Sequence, residues 1–392
     1  MSDVLNAVLA TSDALDRPIN YAEGLPGIAY GPEAYEIERQ QLFPRRWVVC
    51  GFDHEVKNPG DVMPLNIAGW PVVLVRGQDG VLRGFHNVCR HRGMQVVLEP
   101  GRGLKTLVCP WHCWAYGLDG GLVRSVDLGG EKVHRAEGFD PHGLGLVPVA
   151  TATWFDLVFV NLDGNAPPLE QHLAPLTELL GGVALDQFQP AGTVAEPHIY
   201  QGNWKLSVEG AIEDYHLPFV HRQIVKPGDA RAESYAAELG GDCYAGFRMV
   251  HAPGGNRALA PDPRGLPGDP SLLQDGRTTS FLLNLFPSGF ITVAANHVTA
   301  GWLLPDGFDR TVIRLSYYFY GAGATDPDLA HKRQGVMDSW NTVMPQDAFL
   351  VKGVHHTAEA RQRFGIETRF SPAWEAAVLH FQRQVRDAYR EA

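Results

Sequence analysis

Four residues constrain this chain more than any other feature: Cys89 and His91, then Cys109 and His112. They form a C-x-H pair and a C-x-x-H pair with seventeen residues between them. Thiolate and imidazole are both metal ligands, and each pair sets one of each close enough to bind the same centre. Two such pairs on two loops close a Cys₂His₂ site. The loops read Asn87-Val88-Cys89-Arg90-His91-Arg92-Gly93 and Cys109-Pro110-Trp111-His112-Cys113-Trp114-Ala115-Tyr116, the second followed by Gly117-Leu118-Asp119-Gly120. A structural zinc would accept the same four donors. Zinc ribbons, however, use C-x-x-C or H-x₃₋₅-H knuckles, and neither stands here.

The two loops resemble a Rieske [2Fe–2S] motif, in which two cysteines hold one iron and two histidines the other. The resemblance implies that Cys89, His91, Cys109 and His112 bind the cluster. Some Rieske proteins brace these loops with a disulfide from the place of Cys113. Met94 stands where its partner would be, which implies an unbraced and more exposed cluster.

A chain of 392 residues suggests two domains, and a hydrophobic content of 45% is enough to fill their cores. The net charge of −11 argues against a nucleic-acid binder, which needs a basic face. No run reaches the 18 apolar residues that a membrane span needs; Asp156 interrupts the nearest, Ala152 to Leu162. Met1 to Leu15 lacks a basic region and carries Asp3 and Asp13, so no signal peptide is expected. Beyond the two cluster cysteines, Cys50, Cys113 and Cys243 show no disulfide framework, which suits a reducing cytoplasm.

Pro32 to Gln41 has helical character with proline at its start. Short β-prone runs follow: Trp47-Val48-Val49, Pro71 to Val75, Thr106 to Val108 and Trp154 to Val160. Asp79-Gly80 and Asp119-Gly120 signal hairpins. A small antiparallel β domain holding the metal between two loops follows. Ala166-Pro167-Pro168 marks a boundary, and Leu169 to Leu180 is expected as a helix. A strand is expected between Gly192 and Tyr200. The Gly- and Pro-dense stretch from Pro253 to Pro270 is expected as a long surface loop, a candidate lid. Strands return at Ser280 to Phe286, Phe290 to Val293 and Thr311 to Tyr320. Helices close the chain at Asp328 to Trp340, Asp347 to Arg363 and Pro372 to Tyr389.

A redox cluster needs something to reduce. Asn203-Trp204-Lys205 opens a segment containing Glu213-Asp214-Tyr215-His216-Leu217-Pro218-Phe219-Val220-His221. Two histidines five residues apart, preceded by acids, can hold a mononuclear iron. On a continuous helix Glu213 and His216 share a face, while His216 and His221 diverge by about 140°. Pro218 would supply the break that lets them converge. A 2-His-1-carboxylate site needs one more acid. Asp347, at the start of an expected helix, is the best candidate, although an acid there is also favoured by the helix dipole alone. His86 and His297 read first as core or strand histidines, His297 also as a candidate for a substrate pocket. His355 and His356 read as helix-surface or packing residues.

The ordered set N-W-K, acid-x-Tyr-His-x₄-His and a late Gln-Asp resembles the catalytic α subunit of Rieske non-haem iron oxygenases over essentially the whole chain. The resemblance implies an α+β fold: a small all-β Rieske domain plus a larger catalytic domain, its antiparallel sheet wrapped around helices in helix-grip fashion. The expected division is 1–45 as a segment packing on the catalytic domain, 46–163 as the Rieske domain and 164–392 as the catalytic domain. His216, His221 and Asp347 would bind Fe(II). Glu213 would bridge to a cluster histidine of a neighbouring subunit, with Asp214 its rival, and Asn203 would sit near the iron. Family members often carry Asp in place of Glu213 and Asn in place of Gly210. Glu is similar to the branch acting on quaternary ammonium compounds.

The implied function is a terminal oxygenase that uses O₂ and electrons from NAD(P)H to hydroxylate or demethylate a small organic substrate, a methylated amine or betaine in the favoured reading. The alternative is a ring-hydroxylating dioxygenase acting on an aromatic acid; a Rieske electron carrier would leave the second half unused. No dinucleotide fingerprint follows a strand, so the flavin-bearing reductase, with or without a ferredoxin, is expected on another polypeptide. The family's assembly implies a head-to-tail homotrimer.

Overall fold

The computed structural model describes residues 2–10, 12–192, 194–223, 233–252 and 265–391. Much of the candidate lid, 253–264, lies outside them. The chain divides into two compact units: 50–166, and 1–49 together with 167–392.

The first unit is all β. An antiparallel sheet orders its strands Val48–Phe52, Leu157–Asn161, Pro148–Trp154, Leu82–His86, Trp70–Arg76 and Val62–Ile67. A second sheet of Leu107–Val108, Ala115–Tyr116 and Leu122–Arg124 carries the Cys109 loop at its first turn. Both expected hairpin glycines take the left-handed backbone they were placed for, Gly80 at φ 77° and Gly120 at φ 85°. At Gly120 space also decides, because a Cβ would stand 2.4 Å from the ring of Phe85. Val62, Val73, Val75, Phe85, Leu107, Trp114, Tyr116 and Leu146 pack into one buried cluster with Cys89 and Cys109. The motif cysteines are thus part of the core.

The second unit is built on an antiparallel sheet ordered Phe188–Pro190, Thr311–Tyr320, His297–Pro305, Gly289–Val293, Arg277–Leu285, Tyr244–His251 and Ser234–Gly240. Strand His198–Tyr200 pairs with Thr311–Tyr320 as well. Every residue of His297–Pro305 is buried, so this strand is covered on both faces.

One helix, Ala330–Phe364, replaces the two expected around residues 328–340 and 347–363. Pro345 lies inside it. Proline in a helix interior costs about 3 kcal/mol. Here Val336, Trp340, Val343, Met344 and Val351 are buried along the helix, and their packing outweighs that cost. Asp347 therefore sits mid-helix, so the helix-dipole reading of it does not hold.

The N-W-K motif anchors this unit. Asn203 caps helix Trp204–Ala211 by accepting from the Lys205 N–H at 3.1 Å. Lys205 and Glu38 form a fully buried ion pair. Glu38 also accepts from Trp204 Nε1 at 2.7 Å and from Tyr389 OH at 2.8 Å. One turn further, Glu209 accepts from Tyr30 OH and from Gln382 Nε2, each at 3.0 Å. Burial pushes the Glu209 carboxyl up to about 7 and holds the Lys205 ammonium below its usual value. The network ties the N-terminal segment, the motif helix and the C-terminal helix Ala376–Arg390 together.

Candidate metal centres

Past the motif helix the chain turns and forms a single helical turn, Leu217–Val220, with His216 at its N-terminal end and His221 at its C-terminal end. Pro218 starts this turn instead of breaking a longer helix. That corrects the expected geometry: Glu213 lies beyond the motif helix, which ends at Ala211, and shares no helix face with His216. Its carboxylate instead folds back, accepting from the Tyr215 and His216 backbone N–H groups and contacting His216 Nδ1.

Bracketing one turn brings the two imidazoles together. Their centroids are 5.0 Å apart and their Nε2 atoms 3.1 Å apart. Asp347 Oδ1 lies 3.5 Å from His216 Nε2 and 3.1 Å from His221 Nε2. Among the described residues these three form the one group of His, Cys or acidic side chains with mutually close ligand atoms, all within 4.8 Å.

The outer partners fix the tautomers. His216 Nδ1 faces the Glu213 carboxylate, and His221 Nδ1 lies 2.7 Å from Gln346 Oε1. Gln346 is itself oriented by donating from Nε2 to Gln223 at 3.0 Å. Each Nδ1 faces an acceptor and so carries a hydrogen, leaving both Nε2 lone pairs directed at one another and at Asp347. Asp347 Oδ1 is buried and makes no aligned hydrogen bond. Three electron-rich atoms converge with nothing positive between them, which is the signature of a cation site. The titration shifts agree. Burial pulls the His216 pKa down, but the Asp347 and Glu213 carboxylates outweigh it and raise it to about 10. Burial raises Asp347, and the two imidazoles more than reverse it. Two histidines and one carboxylate are the donor set of a non-haem Fe(II) site.

The triad opens into a cavity of about 460 Å³. One wall is the sheet face of Phe247, Leu282, Phe290, Leu303 and Leu315; the helix Ala330–Phe364 supplies Trp340, Val343 and Met344 opposite.

The other unit brings together Cys89, His91, Cys109 and His112. The two motif loops share one construction. Cys89 N–H donates to Met94 and Cys109 N–H to Trp114, while Gly93 and Cys113 N–H close back on Cys89 and Cys109. Gly93 and Cys113 both take positive φ, 78° and 55°. Cys113 thus fills the turn position that glycine fills in the first loop. The cysteines are buried and their thiols adjoin, whereas His91 is exposed and His112 half-buried, with rings 4.6 Å apart. The arrangement, thiols inward and imidazoles outward, is the one a cluster with two irons would take. Tyr116 OH lies 3.3 Å from Cys89 Sγ and accepts from the Arg90 N–H at 2.9 Å.

Sequence reasoning missed Gln346 and Tyr116 as partners of metal-ligand candidates; the late Gln-Asp pair and the Trp-Ala-Tyr run were their signals. Asn203, expected near the iron, is a helix cap whose Nδ2 is directed at the Tyr30 and Phe308 carbonyls. Asp214 is buried in the cavity lining, and Glu213, not Asp214, contacts His216. His355 packs near Phe308.

The model of the ring-hydroxylating α subunit catalytic domain matches residues 185–391, and that of the Rieske [2Fe-2S] domain residues 46–129. The chain is 33% identical over 240 residues to the glycine betaine monooxygenase oxygenase subunit of Chromohalobacter salexigens, covering 57% of this chain and 52% of that protein. It thus spans about half the length of that relative. The carnitine monooxygenase oxygenase subunit of Escherichia coli K12 is 26% identical over 379 residues, 91% of each chain. Among solved structures, the quaternary ammonium Rieske monooxygenase CntA with L-carnitine matches at TM-score 0.75, 21% identity, covering 96% of this chain and 97% of that one. Naphthalene 1,2-dioxygenase from Rhodococcus matches at 0.80, 19% identity, covering 99% and 98%. These two share the fold. With a Rieske domain followed by a catalytic-domain match over more than half its length, the chain belongs to the family of ring-hydroxylating α subunits.

Proposed function

We propose that this protein is the terminal oxygenase of a Rieske system and oxidises a methylated ammonium compound at a carbon next to nitrogen. The convergence of His216 Nε2, His221 Nε2 and Asp347 Oδ1 at the head of an apolar cavity carries the reading. When bound, a Rieske cluster passes single electrons and an Fe(II) leaves coordination positions open for O₂. Cys89, Cys109, His91 and His112 would hold the first, and His216, His221 and Asp347 the second. Glu213 and Gln346 keep the Nδ1 protons in place so that both Nε2 atoms stay ligands. The leucines and Phe290 of the sheet face keep water away from the reacting carbon.

The substrate class rests on the relatives' names, glycine betaine and carnitine monooxygenases, and on charge. The metal end of the cavity is lined by Glu213, Asp214 and Asp347, with the aromatic rings of Tyr200, Phe290 and Trp340 nearby in the lining. Acids and aromatic faces suit a quaternary ammonium. An aromatic acid would need a cation for its carboxylate. The sheet face offers none; Arg361 stands fourteen residues beyond Asp347 on the same helix, about 21 Å along it, and Arg369 pairs with Glu367.

Electrons would come from NAD(P)H through a separate flavin reductase. A head-to-tail trimer would let Glu213 also accept from a cluster histidine of the neighbouring subunit. The test is NADH and O₂ consumption with a generic Rieske reductase, comparing methylated ammonium compounds with aromatic acids. Coupled product formation is expected with the first group; turnover with aromatic acids alone would reverse the substrate assignment.

A further inference from the structure

The sheet face that walls the cavity also carries buried polar groups that no other described side chain or backbone group satisfies. Thr292, Thr299 and Tyr317 stand directly opposite one another across three neighbouring strands. His297 lies two residues before Thr299 and so shares its face. The register puts this face in common with Leu282, Phe290, Leu303 and Leu315, which line the cavity, as Thr292 does itself. Trp340 lines it from the long helix, edge-on to Phe290 at 5.7 Å. It precedes Asp347 by seven residues, about 10 Å along the helix.

All five side chains are at most 5% exposed. Thr292 Oγ1, Thr299 Oγ1, Tyr317 OH, His297 Nε2 and Trp340 Nε1 each lack a hydrogen-bond partner. A buried unsatisfied group costs roughly 1–3 kcal/mol, and valine, phenylalanine or leucine would fill these positions without it. Five together imply partners that the described residues do not supply, and Thr292 and Trp340 are the two that line the cavity.

The chemistry of that partner follows from the donors. Trp340 N–H only donates, and the three hydroxyls both donate and accept. His297 Nδ1 lies 2.7 Å from Asn296 Oδ1, so it carries the hydrogen and Nε2 accepts. Burial pushes His297 down to about 4, so its ring is neutral. No member of the group is charged. A carboxylate there would be buried without a cation, and a trimethylammonium has no N–H to offer.

We propose that Thr292 and Trp340, the two of these residues that line the cavity, bind an uncharged hydrogen-bonding group of the substrate, a hydroxyl or a carbonyl, about two helical turns from the metal, with Thr299, Tyr317 and His297 extending the buried polar row beside Thr292. This rests on the reading that the cavity takes a methylated ammonium compound, and it sets this chain apart from enzymes whose substrates end in a carboxylate.

Four probes on one benzene frame separate the two claims: 4-(trimethylammoniomethyl)benzyl alcohol, the matching benzoate, and the 4-neopentyl counterpart of each. Binding is measured by calorimetry on the anaerobic holoenzyme. The alcohols are expected to bind at least about tenfold tighter than their carboxylates, whichever quaternary centre they carry. Thr292→Val and Trp340→Phe should each weaken alcohol binding roughly fivefold and leave the carboxylates unchanged, and Thr292→Val should keep or raise the melting temperature. Carboxylates binding as well as alcohols, alcohols failing to bind, or variants that leave alcohol affinity intact would each overturn the proposal; a row filled by ordered water alone gives that last result. If the alcohols win but the ammonium centre gives no gain over neopentyl, the ammonium reading fails and the polar row stands.

Discussion

In the cluster unit the cysteines lie in the core while His91 is exposed and His112 half-buried; in the catalytic unit His221 is buried and Asp347 heads an apolar cavity. The ligand sources differ as well. The four candidate cluster ligands come from two loops of matching construction within 24 residues of sequence, each pinned by its own backbone hydrogen bonds. The iron candidates come from one helical turn and from mid-helix Asp347, more than a hundred residues later, and are held by side chains from elsewhere, Gln346 among them. The first site is local in sequence and open to an electron partner. The second is assembled by tertiary packing and heads an apolar cavity.

The sharpest way to break this comparison is to remove Asp347. Asp347→Ala should lose the mononuclear iron and all detectable product, while the visible Rieske absorption persists because no cluster residue is touched. Metal analysis and optical spectra read both at once. An active variant would move the carboxylate role to another residue.

Removing an outer partner should do less. Gln346→Leu leaves His221 Nδ1 without its acceptor, and Glu213→Gln replaces the charge beside His216. Each should cost roughly 10–100-fold in iron affinity or activity. Competition with a chelator measures the affinity. Unchanged values would mean that the tautomers are fixed by other groups.

The buried network beneath the motif helix gives a pH signature. Glu209 has its pKa raised to about 7 from an ordinary 4.5. Between those values the folded state binds the extra proton, so stability falls as pH rises through the window, by about 3 kcal/mol in total. Glu209→Gln keeps an acceptor for Tyr30 and Gln382 without the titration. Denaturant unfolding at pH 5 and pH 7.5 should show that decline in the parent and a flatter profile in the variant.

The smallest effect expected is at Asn203. As a helix cap its replacement by alanine should cost about 1 kcal/mol of stability with iron content per folded chain unchanged. Iron loss without destabilisation would restore the metal-proximal role that the sequence suggested.

How legible each region was follows the same divide. The C-x-H and C-x-x-H pairs, the hairpin glycines and the all-β character of the first unit are local signals, and local backbone geometry realises them. His216, His221 and Asp347 were legible through a family resemblance, but their geometry was not. Pro218 was read as a break and begins a turn; Pro345 was placed between two helices and lies inside one. At Pro345 burial of flanking apolar residues decides, and that is invisible along the chain. Gln346, Tyr116 and the Glu209 partners were missed because each meets its partner across 26 to 179 residues with no periodic pattern to announce it.

The central claim is that one chain holds two different metal centres, a cluster at the exposed loops and a single iron at the half-buried triad. Its most direct test is the iron and acid-labile sulfide content of the anaerobically purified protein, with Mössbauer spectra of the same sample. The account predicts about three irons and about two sulfides per chain, with one high-spin Fe(II) signal separate from the cluster and missing in His221→Ala. About two irons and two sulfides in fully loaded protein, or a zinc in place of the cluster, would contradict it.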